Sequence, residues 1–554
     1  MFRVQISLEV SLGECVELTN TEDIGRDSSS RSEHRGRSSG CAQDKFERQR
    51  QEKLRRIREL GVEPYGGRYD GAELAEDIKG RRCLRDAEKG GIVDGEPGRA
   101  KCAGRIVLLR DIGKLIFITL RDWSGTIQVG LSKKLLGPGV SGWPLAKLLE
   151  LGDVIGASGQ LGKTKTGEIT IWVETITLLS KSLLPPPEKF HGLSDVDLRY
   201  RQRYVDLWAN PEVMERFKKR GAIVAAIREF LQARGFQEVE TPMMQRKAGG
   251  AAAKPFVTHA NSLDLDLFLR IAPELFLKRL LVGGMEKVFE INRNFRNEGL
   301  SRQHNPEFTM LELYQAYADY NVMMDLTEEM ICSLVEEYCL GRPRRRPREG
   351  KGQTPPGRES LLRGKQVQFG DVTIDYGRPW RRARYSELLK EYSGCDIGDI
   401  PAIRARAREL DLDEAGMDDA VVINEVFEAT VEDNLVNPTF VFDYPAALCP
   451  LTRRKRDDPK YAERFELYIA GMELANAYTE LNDPAVQEEN FQIQLRGQEE
   501  SMATMDEDFI TALKYGMPPA GGLGVGIDRL VMVLTGATSI RDVVLFPLLR
   551  PARD

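Results

Sequence analysis

Hydrophobic and polar residues alternate along two short stretches that flank a turn in residues 295–314, FRNEGLSRQHNPEFTMLELY. A period of two is typical of β-strands, in which successive side chains point to opposite faces. In the first stretch, Arg296 and Glu298 would share a face. In the second stretch, one face would collect Phe308, Met310, Glu312 and Tyr314. Leu311 and Leu313 would point the other way, into a core. The mixed face is either solvent-exposed or the floor of a binding site, and the pattern alone leaves both interpretations open.

Residues 98–183 have a different pattern, with short β-branched stretches broken by Gly, Asp and Ser-Gly turns. About five strands in about 80 residues is the size of a small Greek-key barrel such as an OB-fold. Other small barrels would give a similar pattern. Before this domain, residues 45–97 form a basic segment that we expect to be helical, with its first helix ending at Gly61.

A proline-rich stretch, LLPPPEKFHGLSD, indicates a stiff linker, which we place at residues 184–210. The large second domain, residues 211–554, opens with an amphipathic helix that Gly235 ends. Strand-like stretches follow near 266–272, 286–298, 306–314, 438–444 and 464–480. Because long irregular or helical inserts separate these stretches, the pattern predicts an α+β domain built on an antiparallel sheet.

Two segments lack the composition of a packed core. Residues 1–44 include the Ser/Arg-rich stretch RDSSSRSEHRGRSSG and are predicted to be a disordered tail. Residues 341–365 are rich in Pro, Gly and Arg and are predicted to be a mobile basic insertion in the second domain.

Composition narrows the class of protein. Of 554 residues, 41% are hydrophobic and 30% charged, which is ordinary for globular domains. With no apolar run near the ~18 residues that cross a bilayer and no recognisable signal peptide, we expect a cytoplasmic protein without membrane contact. The eight cysteines form no CxxC pair, which argues against a zinc ribbon and a disulfide framework. The net charge of −6 does not exclude RNA, because binding depends on where the basic residues lie.

A possible carboxylate pair lies in residues 464–483, RFELYIAGMELANAYTELND. If this stretch is a hairpin that turns at Ile469–Ala470, Glu466 and Glu473 become directly opposed neighbours on two strands. Opposed like charges destabilise a bare sheet. A cation between them would remove the repulsion, and hard oxygen ligands favour Mg²⁺ that also binds a substrate phosphate. The alternative is a solvated edge strand.

A glycine-rich stretch, GLGVGIDR at residues 522–529, begins as a strand and continues into a helix. Glycines allow a backbone to approach a ligand closely, and Arg529 at the start of the helix could bind phosphate oxygens. The stretch is neither a Walker A loop nor a Rossmann fingerprint. Together with Arg296, Phe308 and the carboxylate pair, it suits ATP bound on an antiparallel sheet, with acidic residues left over for a cationic second substrate.

The sequence resembles the class II lysyl-tRNA synthetases over about residues 45–554, apart from the 341–365 insertion. The stretches GFQEVETPMM, FRNEGLSRQHNPEFTMLELY and GLGVGIDR resemble the three motifs of class II synthetases in general. The stretches KFHGLSDVDLRYRQRYVDL, LRIAPELFLKRL and GMELANAYTELND resemble the lysine enzymes in particular. Tyr478 and Thr479 depart from the phenylalanine and serine common there, but both substitutions keep the shape of the side chain.

The resemblance implies a role for each matching residue. Arg296 would hold the α-phosphate and the lysine carboxylate, Arg529 the γ-phosphate and His304 the outer phosphates. Phe308 would stack on adenine and Glu298 accept from its exocyclic amine. The implied Mg²⁺ ligands are Glu466 and Glu473. The implied lysine contacts are Gly250, Glu274, Glu312, Tyr314, Asn476, Tyr478 and Glu480. The implied anticodon contacts in the barrel are Arg105, Phe117, Gln128 and Glu168.

The resemblance thus implies an ATP-dependent ligase that joins lysine to its tRNA, and a homodimer formed through the helix and strand at 211–242. Two rival interpretations remain. An aspartate or asparagine enzyme of the same class would need a cationic residue where Glu274 or Glu480 stands. A non-catalytic RNA-binding relative would not need the two arginines and the carboxylate pair.

Overall fold

The structure, a computed structural model, describes residues 37–85, 87–185, 193–251, 253–341, 366–496 and 505–551. It divides into two compact units, Met1–Pro186 and Pro187–Asp554. Residues 1–36 of the predicted tail, residues 186–192 of the predicted linker and residues 342–365 of the predicted insertion lie outside the described residues.

The first unit is built on a closed barrel. Its elements are α1 (Arg37–Glu59), α2 (Ala75–Lys79), β1 (Arg99–Asp111), β2 (Leu115–Arg121), β3 (Thr126–Ser132), α3 (Lys133–Leu136), α4 (Trp143–Ala146), β4 (Val154–Lys163) and β5 (Ile169–Ser180). The strand order is β1-β2-β3-β5-β4, in which β3 and β5 are parallel and the other described pairs antiparallel. The predicted five-stranded OB-fold barrel is therefore confirmed.

Alternation along the strands fills the barrel interior, because every second side chain points inward. Ile118, Val129 and Ile171 are fully buried there, whereas their neighbours in sequence face outward or are covered from outside. Helix α1 begins at Arg37, inside the segment predicted as a tail. Its fully buried Ile57 packs against the same core.

The second unit is built on a large mixed sheet. Its elements up to the insertion are α5 (Val196–Arg201), α6 (Arg203–Ala209), α7 (Pro211–Gln232), β6 (Gln237–Glu238), β7 (Met244–Gln245), β8 (Val257–Ala260), β9 (Leu265–Leu269), α8 (Glu274–Val282), β10 (Lys287–Phe295), β11 (Glu307–Ala316) and α9 (Tyr320–Tyr338). After it come β12 (Gln366–Phe369), β13 (Val372–Asp375), β14 (Arg381–Arg384), α10 (Tyr385–Ser393), α11 (Ile400–Glu409), α12 (Asp419–Val431), β15 (Thr439–Pro445), β16 (Tyr461–Ile469), β17 (Met472–Thr479), α13 (Pro484–Arg496), α14 (Glu507–Lys514), β18 (Ala520–Gly526) and α15 (Ile527–Thr535).

Eight strands form the main sheet in the order β14-β15-β16-β17-β18-β11-β10-β6. Its six central strands pair antiparallel and only the two outermost pairs are parallel, so the predicted antiparallel α+β domain is confirmed. Helices α7, α9 and α15 pack on one face and bury a core that includes Leu311 and Leu313, both fully buried as predicted. The other face is left for the polar residues.

The sequence interpretation needs one correction near the start of this unit. Residues Val196–Ala209, placed in the linker, form α5 and α6. The buried guanidinium of Arg203 donates from Nε to the Leu545 carbonyl at 3.0 Å and from Nη2 to the Arg541 carbonyl at 2.6 Å. These helices are therefore part of the body of the second unit.

Candidate active site

A cavity of about 1350 Å³ lies over the polar face of the main sheet. Strand β11 supplies its floor, because the residues that alternate with Leu311 and Leu313 point into it. The predicted residues that line it are Gly250, Glu274, Arg296, Glu298, His304, Phe308, Glu312, Tyr314, Glu466, Glu473, Asn476, Tyr478 and Arg529. The mixed face of the sheet is thus the floor of a cavity and not a solvated surface.

Glu480 lies behind the cavity wall, with 1% of its surface exposed. Its position depends on Gly522 of β18, because a Cβ at residue 522 would lie 1.9 Å from Glu480 Oε1 and 2.6 Å from a ring carbon of Tyr314. This glycine therefore makes room for two pocket side chains. The predicted role, in which the glycines let the backbone approach a ligand, stays a prediction, and Gly522, Gly524 and Gly526 all line the cavity.

A buried lysine that the sequence interpretation missed sits between two of the predicted carboxylates. Lys278 Nζ donates to Glu274 Oε1 at 2.5 Å and also contacts Glu480. Burial acts to lower the pKa of Lys278, but the two carboxylates outweigh it, so the pKa is raised and the ammonium stays charged. Glu274 and Lys278 are spaced i,i+4 on α8, a pattern that usually indicates a surface ion pair, which is why it carried no signal for this cluster.

Glu312 on β11 is the second unexpected feature of this end of the cavity. Burial, followed by the proximity of Glu274, raises its pKa from 4.5 to about 8. Asn294 Nδ2 donates to its Oε1 at 3.4 Å, which opposes the shift only weakly. At neutral pH the carboxyl group of Glu312 therefore carries a proton in the free protein.

This protonation predicts a pH dependence of stability. Because the folded state holds the proton up to about pH 8 and the unfolded state releases it near pH 4.5, the free energy of unfolding should fall as pH rises between these values. In Glu312→Gln that decline should be smaller, by roughly 2–4 kcal/mol between pH 5 and 8. Denaturant unfolding across this range measures it, with the exposed Glu391→Gln as control. Parallel curves for wild type and Glu312→Gln would contradict the assignment.

Arg296 and Glu298 do not lie in a strand, as the alternation predicted, because β10 ends at Phe295. They begin an irregular loop that is tied back by a hydrogen bond from Arg296 N to the Pro306 carbonyl at 2.8 Å. The Arg296 guanidinium lies 5.1 Å from the centre of the Phe308 ring. Its Nε is buried and has no hydrogen-bond partner among the described residues, so the group is held in the cavity with unused donor capacity.

The carboxylate pair lies in a hairpin, but in a different register from the one predicted. The turn is at Ala470–Gly471, both with positive φ, one residue later than expected. Tyr468 faces Glu473 and Glu466 faces Asn476, so the two glutamates are not directly opposed. A β-bulge at Leu467/Tyr468 inserts one extra residue on β17.

The bulge decides which side chains reach the cavity. Glu473 and Asn476 are three residues apart and would point to opposite faces of a regular strand. With the extra residue both line the cavity, where the buried Leu474 and Ala475 lie between them. Glu466 and Glu473 line the same cavity although they are not opposed, and burial, followed by the proximity of Glu466, raises the pKa of Glu473.

Glu466 is held by several donors. Its Oε2 accepts from the hydroxyls of Tyr444 at 2.8 Å and Tyr468 at 2.7 Å, and its Oε1 accepts from Asn476 at 3.3 Å and contacts Arg464. No group of three or more histidine, cysteine or acidic side chains in the described ranges is arranged to hold a metal alone. Two carboxylates fit Mg²⁺ that takes its other ligands from phosphate and water.

Arg529 lies in the first turn of α15, as predicted, and its guanidinium is anchored at two points. Nη1 donates to the Glu473 carbonyl at 2.7 Å and Nη2 lies 2.8 Å from His304 Nε2. Burial, followed by the charge of Arg529, lowers the pKa of His304, so the imidazole is neutral at pH 7. A neutral histidine can accept from Arg529 and orient it toward the cavity.

In the barrel, the four predicted anticodon residues lie on outward positions of β1, β2, β3 and the turn before β5. Arg105 Nη1 donates to the Gly152 carbonyl at 2.7 Å, and Gln128 Nε2 donates to Thr170 Oγ1 at 2.7 Å. Phe117 makes an edge contact with Trp172, and Glu168 is exposed. The barrel thus presents polar and aromatic groups together on one outer surface.

The chain matches the models of two protein families. The model of class II tRNA synthetases (D, K and N) matches residues 195–550, and the model of an OB-fold nucleic acid binding domain matches residues 100–179. Since the first match covers well over half of the chain and agrees with the antiparallel sheet, the chain belongs to the class II tRNA synthetases.

Curated relatives narrow the class. The lysine–tRNA ligase of Carboxydothermus hydrogenoformans is 51% identical over 510 residues, which cover 91% of this chain and 97% of the relative. That of Moorella thermoacetica is 49% identical over 512 residues, 91% of this chain and 98% of the relative. That of Magnetococcus marinus is 47% identical over 510 residues, 90% and 96%. The chain belongs to the lysine–tRNA ligase family.

Proposed function

We propose that this protein activates lysine with ATP and transfers the lysyl group to the 3′-terminal ribose of its tRNA, in the cytoplasm, as a step of protein biosynthesis. The observation that supports this most is the charge distribution of the cavity. One end holds Arg296 and Arg529, and the other holds the carboxyl groups of Glu274 and Glu312. A substrate pair with phosphates at one end and an ammonium at the other is complementary to it.

In the first step, an oxygen of the lysine carboxylate attacks the α-phosphorus of ATP, and the bond from that phosphorus to the pyrophosphate oxygen breaks. The carboxylate is already ionised, so no general base is needed. Arg296, with unused donor capacity, holds the α-phosphate and the carboxylate together. Arg529 and His304 hold the outer phosphates. Phe308 stacks on adenine, and Glu298 accepts from the adenine amine.

Glu466 and Glu473 would hold Mg²⁺, which neutralises phosphate charge when bound. The position of Glu466 does not depend on the ion, because Tyr444 and Tyr468 already orient it. Arg464, which contacts the same carboxylate, compensates its charge in the free protein.

The acidic end selects the amino acid. A desolvated ammonium must meet carboxylate or hydrogen-bond partners. Glu274 and Glu480 supply the carboxyl groups that meet the ammonium, and Gly250, Tyr314, Asn476 and Tyr478 complete the walls around them. An aspartate side chain would meet like charge here, which argues against the related aspartate enzymes.

The experiment that tests the proposal is amino-acid-dependent pyrophosphate exchange, run separately with all twenty amino acids. Lysine should be the one that supports rapid exchange. Exchange with aspartate or asparagine would identify the rival enzymes of the class, and no exchange with any amino acid would identify a non-catalytic RNA-binding protein.

We propose that the barrel binds the anticodon, with Phe117 stacking on a base. Phe117→Ala should leave tRNA-independent pyrophosphate exchange unchanged, because that reaction uses residues of the second unit. Aminoacylation should lose about one to two orders of magnitude in kcat/KM for tRNA, since base stacking on an aromatic ring is worth about 1–3 kcal/mol.

The comparison that decides this uses tRNAs with the lysine anticodon and with altered anticodons. If Phe117 only packs the barrel, Phe117→Ala should lower the melting temperature and its loss of activity should not depend on the anticodon. If the variant discriminates between the tRNAs as sharply as wild type, this residue does not read the anticodon.

We also propose a homodimer. Helix α7 and the strand after it match the segment expected at a dimer interface. The second unit exposes large apolar side chains that a partner could bury, among them Met244 at 58%, Phe546 at 70% and Leu548 at 58%. Light scattering should give twice the chain mass of 62.4 kDa.

A further inference from the structure

Trp172 is an aromatic residue on the barrel surface to which the sequence interpretation gave no role. It lies on β5, where it is paired with Gly130 of β3 and with Gln160 of β4. Its neighbours Ile171 and Val173 are fully buried in the barrel core, so Trp172 points outward. Its side chain is nevertheless half-buried, so other groups on the outer surface of the barrel cover part of it.

Glycines on the two neighbouring strands leave room for the indole on the outer surface of the sheet. A Cβ at Gly130 would lie 2.8 Å from Trp172 Cε3, and a Cβ at Gly162 of β4 would lie 3.1 Å from Trp172 Nε1. The six-membered ring therefore lies beside β3 and the pyrrole nitrogen beside β4. The indole therefore reaches from β3 to β4 on the outer surface of the barrel.

The same surface contains the residue proposed to stack on an anticodon base. Phe117 is paired with Gly130 from the other side, so Phe117, Gly130 and Trp172 form one row across three strands. The two ring centres are 6.0 Å apart at an interplanar angle of 64°. Two rings this close can each take one base from adjacent nucleotides of a single strand, with the bases splayed apart.

Positive charge lies at the end of this row. Arg110 of β1 is paired with Phe117, and Lys114 and Lys133 flank the ends of β2 and β3 nearby. Basic side chains beside aromatic platforms are what OB-folds use to bind single strands, because the charges follow the phosphates while the rings stack on the bases.

We propose that Trp172 is a second stacking platform of the barrel, which takes a base of the anticodon loop next to the base on Phe117. This inference rests on the proposed anticodon-binding function of the barrel. It adds a residue and a second base position to it. Gly130 is then part of the site, since a side chain there would collide with the indole and push it away from β3.

Tryptophan fluorescence tests the proposal directly, because a base stacked on an indole quenches its emission. The full-length protein is titrated with an RNA hairpin that has the anticodon stem and loop of lysine tRNA. Wild type should be quenched, and Trp172→Phe should lose most of that quenching while still binding. Trp208→Phe, which changes a tryptophan of the second unit, should keep the quenching and serves as the control.

Affinity gives the second measurement. Trp172→Ala should weaken hairpin binding by about 5- to 100-fold, and Trp172→Phe much less, since a smaller ring still stacks. Quenching that persists in Trp172→Phe overturns the inference. So does hairpin binding by a folded Trp172→Ala at wild-type affinity. If Phe117→Ala also binds normally, the anticodon function of the barrel is wrong as well; if Phe117→Ala binds poorly, only the role of Trp172 is wrong.

Discussion

Arg296→Ala should lower the rate of lysine-dependent pyrophosphate exchange by about 10²–10³-fold, the usual cost of removing a donor that stabilises transition-state charge. The guanidinium lies over Phe308 with a buried Nε that has no hydrogen-bond partner among the described residues. Its removal should therefore cost little folding stability, and the loss should appear in kcat.

The matched control is Arg293→Ala, three residues earlier on β10, which is paired with Glu307 at 3.7 Å and lies outside the cavity. It should exchange pyrophosphate at nearly the wild-type rate. Stopped assays with saturating lysine and ATP measure both variants. If Arg296→Ala exchanges pyrophosphate within tenfold of the wild-type rate, Arg296 does not stabilise the transition state. Its proposed contact with the α-phosphate is then wrong.

Glu480→Gln should raise the KM for lysine by roughly 200- to 5000-fold and leave the KM for ATP nearly unchanged. Removing one partner of a buried charge pair costs roughly 3–5 kcal/mol. In the free protein that carboxylate contacts Lys278, so the substitution also leaves the buried ammonium with Glu274 alone.

The exposed Glu409→Gln, which also loses one partner of an ion pair, serves as the control and should behave as wild type. Calorimetric binding of lysine to both variants separates affinity from chemistry. If Glu480→Gln binds lysine with wild-type affinity, Glu480 is not a partner of the substrate ammonium.

The alternation of residues predicted the strand β11 and its two faces, because each buried leucine is separated from the next by a residue that must then face the other way. Alternation could not predict how far the preceding strand extends. Arg296 and Glu298 keep the period of two, yet they lie in a loop, because the pattern carries no signal for where hydrogen bonding between β10 and β11 stops.

The carboxylate hairpin shows a second limit. The pair was recognisable from the residues, but its register was wrong because a bulge is invisible to a strict period of two. Lys278 was missed for a related reason: i,i+4 spacing indicates an ion pair but not whether it is buried. The residue types of the site could be recognised from the sequence. How deeply each side chain is buried could not, because burial depends on packing between segments that are far apart in the chain.

The buried Lys278 limits the positive charge that an inhibitor can carry at the group that replaces the lysine ammonium. Lys278 already balances one of the carboxylates it touches, and Glu312 holds a proton near neutral pH. Burial also raises the pKa of Glu480, so Lys278 is balanced by Glu274, and a cationic ligand gains a negative partner when Glu312 or Glu480 releases its proton. A lysine mimic with a single terminal cation needs one such release, while a dication would need a second one or would have to displace Lys278.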